Sequence, residues 1–150
     1  MIRYAIDHGV NYVDTAYGYH GGKSEIVVGK ALQDGYRDKV KVATKLPCWH
    51  VKATDDFDRL LDEQRAKLQV ECIDCYLIHS LNATHWPKMR ELGLLDWILK
   101  AKAEGRITHI GFSFHDKCAV FKEIVDGYDG WEFCQIQYNY INEMEQAGIE

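Results

Sequence analysis

Long apolar runs are missing from this sequence. None approaches the roughly 20 residues needed to cross a bilayer, and the opening MIRYAIDHG is amphipathic, without the apolar stretch of a secretory leader. Runs of lysine and arginine are missing too. The 18 Lys+Arg against 23 Asp+Glu leave a net charge of -5, with no concentrated positive charge for a phosphate backbone to meet, so nucleic acid is not an expected partner. We therefore expect no membrane partner and a cytoplasmic protein. Cysteine is sparse, odd in number and scattered: Cys48, Cys72, Cys75, Cys118 and Cys134 suit reduced thiols better than a disulfide framework. No second pair accompanies Cys72 and Cys75 to complete a zinc or iron–sulfur site. In ECIDCYLIHS the two lie along an alternating strand, where positions i and i+3 face opposite ways, so they read as core or near-core thiols. A metal site is not expected. No G-x-G-x-x-G occurs, and in GYHGGKS three residues, not the four of a phosphate loop, separate Gly18 from Gly22. Low-complexity linkers and composition breaks are also absent, and 47% hydrophobic content over 150 residues suits a single domain over 1–150.

Short β-rich runs alternate with longer stretches of helical period. Met1 to His8 places Ile2, Ala5 and Ile6 at helical spacing and is stopped by Gly9. A strand follows over Asn11 to Thr15, a helix over Ser24 to Asp34 with Glu25 in its first turn, and a strand over Val40 to Lys45. Thr54 is placed to cap a helix whose apolar face is Phe57, Leu60, Leu61, Gln64 and Leu68. The strand Ile73 to His79 comes next, then a helix with Leu94, Leu95, Ile98 and Leu99 on one stripe, ending at Gly105. The strand Ile107 to Ser113, a helix capped by Asp116 and built on Val120, Phe121, Ile124 and Val125, and a strand Phe133 to Tyr138 complete the pattern. This is βαβ logic with about five parallel strands and four intervening helices.

Each strand run carries a residue able to do chemistry at or near its C-terminal end: Asp14, Lys45, His79, Ser113 and Gln135. Ligands bind at that end of parallel strands in both open sheets and barrels. Strands are about 4.8 Å apart, so in a flat sheet the first and last of five in sequence order would stand about 19 Å apart. Only a curved sheet lets all five address one small substrate. The fold class expected is therefore α/β, an incomplete (β/α)8 TIM-type barrel, in preference to an open sheet.

A tyrosine from DTAYGYHGGKSE, close to a lysine and a histidine on the next two strands, makes a carbonyl-polarising set. An ammonium stabilises a phenolate and makes the phenol a readier proton donor. Lys45 is placed to supply it, Asp14 to hold that ammonium, and His79 to orient the carbonyl oxygen. Hydride must come from outside, and a nicotinamide cofactor is the economical source. Taken singly, each residue has a bland alternative: a helix cap for Asp14, a snorkelling surface lysine for Lys45, a hydrogen-bonded strand-end histidine for His79.

NYVDTAYGY, VATK, YLIH, IGFS and CQIQYN, in this order and spacing, make the chain similar to the aldo-keto reductases along essentially its whole length. The resemblance implies a catalytic set of Asp14, Tyr19, Lys45 and His79, with Tyr19 the general acid and Tyr17 a wall residue. It implies that Ser113 and Gln135 hold the nicotinamide carboxamide, with Asp14 also on the cofactor side, and a cofactor that is NADP(H) or NAD(H). Phe114 stands where that family usually has the second half of the clamp, an Asn. HGGKSE and GFSFHD resemble a branch whose full-length members often carry a ferredoxin-like C-terminal extension. The present chain has no such extension, so an iron–sulfur cluster is not expected in it. By the same resemblance it holds barrel strands two to six, of a fold that takes about 250 residues. Three readings follow: a reductase of small aldehydes or ketones, an inert barrel fragment that self-associates through its open sheet edges, and a small open-sheet nucleotide-binding domain.

Overall fold

A computed structural model describes residues 1–148. The chain enters through a short helix, α1 (Ile2–Asp7), and a three-residue strand, β1 (Tyr12–Asp14); after the single turn α2 (Tyr19–Gly22) comes α3 (Ser24–Ala31). Then follow β2 (Lys41–Pro47), α4 (Asp55–Leu68) and β3 (Ile73–Leu81). Two helices, α5 (His85–Glu91) and α6 (Leu94–Ala103), precede β4 (Ile107–Phe114), α7 (Cys118–Asp126) and β5 (Phe133–Ile136). Among the described residues the strands form one sheet in sequence order, β1 to β5, every neighbouring pair parallel. Sequential parallel neighbours require crossovers of one hand, which lay the helices against one face of the sheet.

Period-2 alternation puts Val42, Thr44 and Leu46 of β2, Tyr76 and Ile78 of β3, and Ile110, Phe112 and Phe114 of β4 on that helix-covered face, where all are buried. They meet Phe57, Leu60, Leu61 and Leu68 of α4, Leu94, Trp97, Ile98 and Ala101 of α6, and Ile124 of α7, in one continuous apolar cluster. The α4 face was legible as written. The α6 stripe needs correction: Leu99 is 59% exposed and Leu95 only partly buried, while Trp97 and Ala101 complete the face at i+3 and i+7 from Leu94. Trp97 could take this place because its indole N–H reaches Asp58 Oδ1 at 2.8 Å.

Both helix caps differ from expectation. Thr54 stands at the start of α4, but its hydroxyl donates to the carbonyl of Leu92, and Asp56 Oδ2 accepts the N–H groups of Lys52 and Ala53 instead. Asp116 takes the N–H of Lys117 at 2.8 Å and of Ala83 at 3.1 Å, so it ties the start of α7 to the loop after β3. Helix α5 was not anticipated. Pro87 lies in its first turn, where the missing N–H costs nothing, and Asn82 Oδ1 accepts from Thr84 and His85 just before it. The last strand ends at Ile136, not Tyr138.

Two glycines set distances. A Cβ on Gly29 of α3 would come within 2.5 Å of the Lys67 carbonyl, so α3 and α4 touch backbone to backbone. A Cβ on Gly111 of β4 would collide with the backbone carbonyl and ring of Phe133, its partner on β5.

Candidate active site

The register explains how one row of side chains gathers at the C-terminal end of the sheet. Asp14 pairs with Ala43, and Lys45 lies two residues further along β2; Lys45 pairs with Leu77, and His79 lies two residues further along β3. A step of two preserves the face on which a side chain stands, so the row climbs while pointing the same way. Ser113 and Gln135 are direct partners across β4 and β5. Tyr19, Lys45, His79, Ser113 and Gln135 line one cavity of 220 Å³, together with His115, Ile136 and Gln137. Residues following β1 and residues of β5 thus face the same small space, which a flat sheet of five strands could not achieve. The sheet is curled.

Lys45 is 1% exposed. Its three N–H donors have three acceptors: Asp14 Oδ2 at 2.7 Å, Asp14 Oδ1 at 2.9 Å and the carbonyl of Thr15 at 2.9 Å. That is the full complement of hydrogen bonds an ammonium can donate. Asp14 therefore stands behind Lys45, both its oxygens engaged. Lys45 Nζ lies 5.0 Å from the centre of the Tyr19 ring, and Tyr19 is 41% exposed at the mouth.

The His79 ring meets Tyr19 edge-on at 6.0 Å between centroids, and Trp49 packs against it at 5.0 Å. Burial, reinforced by the charge of Lys45 and by His115, pushes the imidazole down from 6.5 to about 4, so it is neutral near pH 7. Its Nδ1 is buried without a hydrogen-bond partner. A stranded lone pair costs less than a stranded N–H, which assigns the tautomer protonated on Nε2. Just beyond, Ser80 adopts φ 54 at a register irregularity, and its N–H donates to Ser113 Oγ at 2.8 Å. A bulge next to a site residue is a recurrent way of aiming it.

Tyr17 is no wall of this cavity. Its hydroxyl donates to Glu63 and its ring lies under Lys67 Nζ at 3.9 Å, both on α4. Phe114 is fully buried against Phe112 and Phe121, so it offers nothing to a ligand. His115 and Gln137, which sequence reasoning passed over, line the cavity two residues beyond Ser113 and Gln135 on the same face; strand alternation would have found them, Gln137 inside the predicted last strand and His115 two residues past the predicted end of the strand before it. Of the tryptophans near loops, Trp86 is buried and Trp131 packs on it and on Phe112, leaving Trp49 as the one beside His79. A larger groove of 450 Å³ lies elsewhere, lined by Arg37, Lys39, Lys41 and Asp74, but its cations are already paired, Arg37 and Lys41 with Asp74 and Lys39 with Asp7.

Residues 1–149 match the Aldo/keto reductase family. The chain belongs to that family. A probable aldo-keto reductase 1 of Glycine max is 32% identical over 121 residues, covering 75% of this chain and 34% of that protein. The NADH-specific methylglyoxal reductase of Escherichia coli (strain K12) is 30% identical over 122 residues, covering 69% of this chain and 36% of the other. A Klebsiella pneumoniae aldo-keto reductase, solved in complex with NADPH, superposes with a TM-score of 0.73 at 30% identity, over 91% of this chain and 46% of its own. This aldo-keto reductase chain thus spans about a third of its curated relatives and about half of the solved structure. Its five strands are a curled half of the (β/α)8 barrel of the family.

Proposed function

We propose that the chain carries the carbonyl-reducing site of an NAD(P)H-dependent oxidoreductase acting on small aldehydes or ketones, with Tyr19 as the proton donor. The observation that carries this reading is the convergence of Tyr19, Lys45, His79, Ser113 and Gln135 on one cavity. The fit to a nicotinamide rests on the donor set. Ser113 Oγ, while accepting from Ser80, keeps its own O–H to donate, and Gln135 opposite it offers both a donor and an acceptor. These two residues would hold the carboxamide. NADP(H) is the leading cofactor, from the NADPH bound in the Klebsiella neighbour, and NAD(H) the alternative, from the name of the Escherichia coli relative.

When bound, a reduced nicotinamide supplies hydride to the carbonyl carbon. Tyr19 Oη gives its proton to the carbonyl oxygen, and the negative charge left on the phenolate faces the Lys45 ammonium, held in place by Asp14 and Thr15. His79 donates from Nε2 to the same oxygen and, being neutral, does not compete with Tyr19 as the acid. The test is loss of NADPH absorbance on adding an aldehyde, with Tyr19→Phe as the control. Unchanged turnover in that variant would remove Tyr19 from the role.

A second reading is an inert barrel segment that self-associates. It is favoured by β1 and β5, each paired on one side only, and by exposed apolar groups on them: Tyr12 at 42% and Ile136 at 39%. NADPH binding, followed by tryptophan quenching, separates the two. Binding with Tyr19-dependent turnover excludes inertness, whereas no binding together with concentration-dependent mass supports it.

A further inference from the structure

The first turn of α3 grips the side chains that flank the Asp14–Lys45 pair in sequence. Ser24 and Glu25 are consecutive, and each reaches a chain neighbour of one member of that pair. Thr15 Oγ1 donates to Ser24 Oγ at 2.7 Å, and Thr44 Oγ1 donates to Glu25 Oε1 at 2.6 Å. Gln64 of α4 joins them: its Nε2 donates to Glu25 Oε1 at 2.7 Å and to the backbone carbonyl of Lys45 at 3.0 Å, while its Oε1 accepts from the Tyr76 hydroxyl at 2.6 Å. Glu25, Thr44, Gln64 and Tyr76 are all fully buried.

This network is a poor way merely to fill space. Glu25 Oε2 has no hydrogen-bond partner, and the nearest cation, Lys67 Nζ, is 3.9 Å away and already engaged with Glu63 at 2.7 Å. A buried carboxylate oxygen left unpartnered costs stability, and apolar side chains of the same volume often do as well or better at such places. What the network holds, and an apolar filling would not, is the carbonyl of Lys45 and the side chain of Thr44 next to it.

We infer that Glu25 is a positioning residue for the proton-donating site. With Ser24 and Gln64 it fixes the backbone at Thr15, Thr44 and Lys45, so that Lys45 Nζ stays on both oxygens of Asp14 and beside the Tyr19 ring. The inference rests on reading Tyr19 and Lys45 as the reduction site. It goes beyond that reading by placing a determinant of activity on the helix side of the sheet, out of contact with any ligand in the cavity.

The test compares Glu25→Leu with Glu25→Gln, which keeps the acceptor at Oε1. For the reduction of an aldehyde by NADPH, Glu25→Leu lowers kcat by about tenfold to a hundredfold, as expected for displaced catalytic groups, with KM for NADPH little changed and the chain still folded at the assay temperature. Glu25→Gln restores most of kcat. The second readout needs no turnover. In the lysine ammonium region of a ¹H–¹⁵N spectrum, Lys45 with its three acceptors gives a slowly exchanging signal that Glu25→Leu shifts or broadens and Glu25→Gln retains. An inactive wild type would count against the proposed reaction alone, since the Lys45 signal still reports on positioning. Should Glu25→Leu not fold, Ser24→Ala, which cuts only the tie to Thr15, shows a smaller effect in the same direction on both readouts. Unchanged kcat and an unchanged Lys45 signal in the folded variant, or an equal loss in Glu25→Gln, would overturn the inference.

Discussion

The Tyr19 ring stands edge-on to the His79 ring, 6.0 Å between centroids and 79° between planes, above an ammonium 5.0 Å from the phenol ring. In the proposed reaction, phenol and imidazole meet one substrate oxygen from two sides. On the proposed function, removing the phenol hydroxyl removes the acid, a contribution of about 10² to 10⁴ in rate. Tyr19→Phe should lose kcat by that factor while its melting temperature stays near the wild-type value, because the hydroxyl lies at the mouth of the cavity. A circular dichroism melt beside an NADPH absorbance assay checks both.

His79 also makes stability depend on pH. Burial lowers its folded value to about 4 against 6.5 when exposed, so between these limits the unfolded chain binds a proton that the folded chain refuses. Stability then rises with pH across this window and falls as the solution is acidified from 6.5 towards 4. His79→Asn should flatten the slope of unfolding free energy against pH in that interval. Identical slopes in urea titrations of both proteins would show that the imidazole is not so buried.

The ion pair beneath should behave as a unit. Asp14→Ala leaves the Lys45 ammonium with one acceptor, the Thr15 carbonyl, and should destabilise the chain by about 1–3 kcal/mol. Adding Lys45→Met to that variant should recover part of the loss, since an unpartnered buried charge is worse than none. A double-mutant cycle by denaturant unfolding measures the coupling.

Asp58 is a second hub, far from the cavity. It receives Trp97 Nε1 at 2.8 Å, Lys100 at 3.0 Å and Arg106 at 2.6 Å, tying α4 to α6 and to the start of β4. Partial burial works to raise its carboxyl, and the hydrogen bonds from Trp97, Arg106 and Lys100 outweigh it, leaving the group at about 2. Its folded value lies below 3.8, so its contribution is present above that pH and is lost as pH falls towards 2. Asp58→Asn should lower stability at pH 7 and remove this part of the acid transition, read from fluorescence against pH.

The strand edges give a further expectation. If β1 and β5 recruit other copies of the chain, the mass in solution should rise with concentration, and Ile136→Lys on the β5 edge should reduce that rise, as edge lysines do. A monomeric wild type at every concentration tested would argue against self-association.

Periodicity carried the strands and α4 because their apolar faces follow strict 2.0 and 3.6 spacing; Phe57, Leu60, Leu61, Gln64 and Leu68 are all buried as their spacing predicts. It failed at α6, where an indole with a distant hydrogen-bond partner displaced a leucine from the buried stripe, and at α5, whose seven residues are too few to display a period. The row from Asp14 to Gln135 was legible because each member stands at or near a strand's C-terminal end. Ser24, Glu25 and Gln64 were not, since their meaning lies in which neighbours they touch across three elements, and no spacing within one segment encodes that.

Gly29 then acquires a reach beyond its own helix. At Gly29 the two helices α3 and α4 approach backbone to backbone, and Glu25 and Gln64 ride on these helices, facing each other within hydrogen-bonding distance. One added methyl would wedge the helices apart and slacken the grip on the strand that bears the ammonium. On the proposed function, an alanine at this remote position would injure proton delivery while leaving every group in the cavity chemically intact.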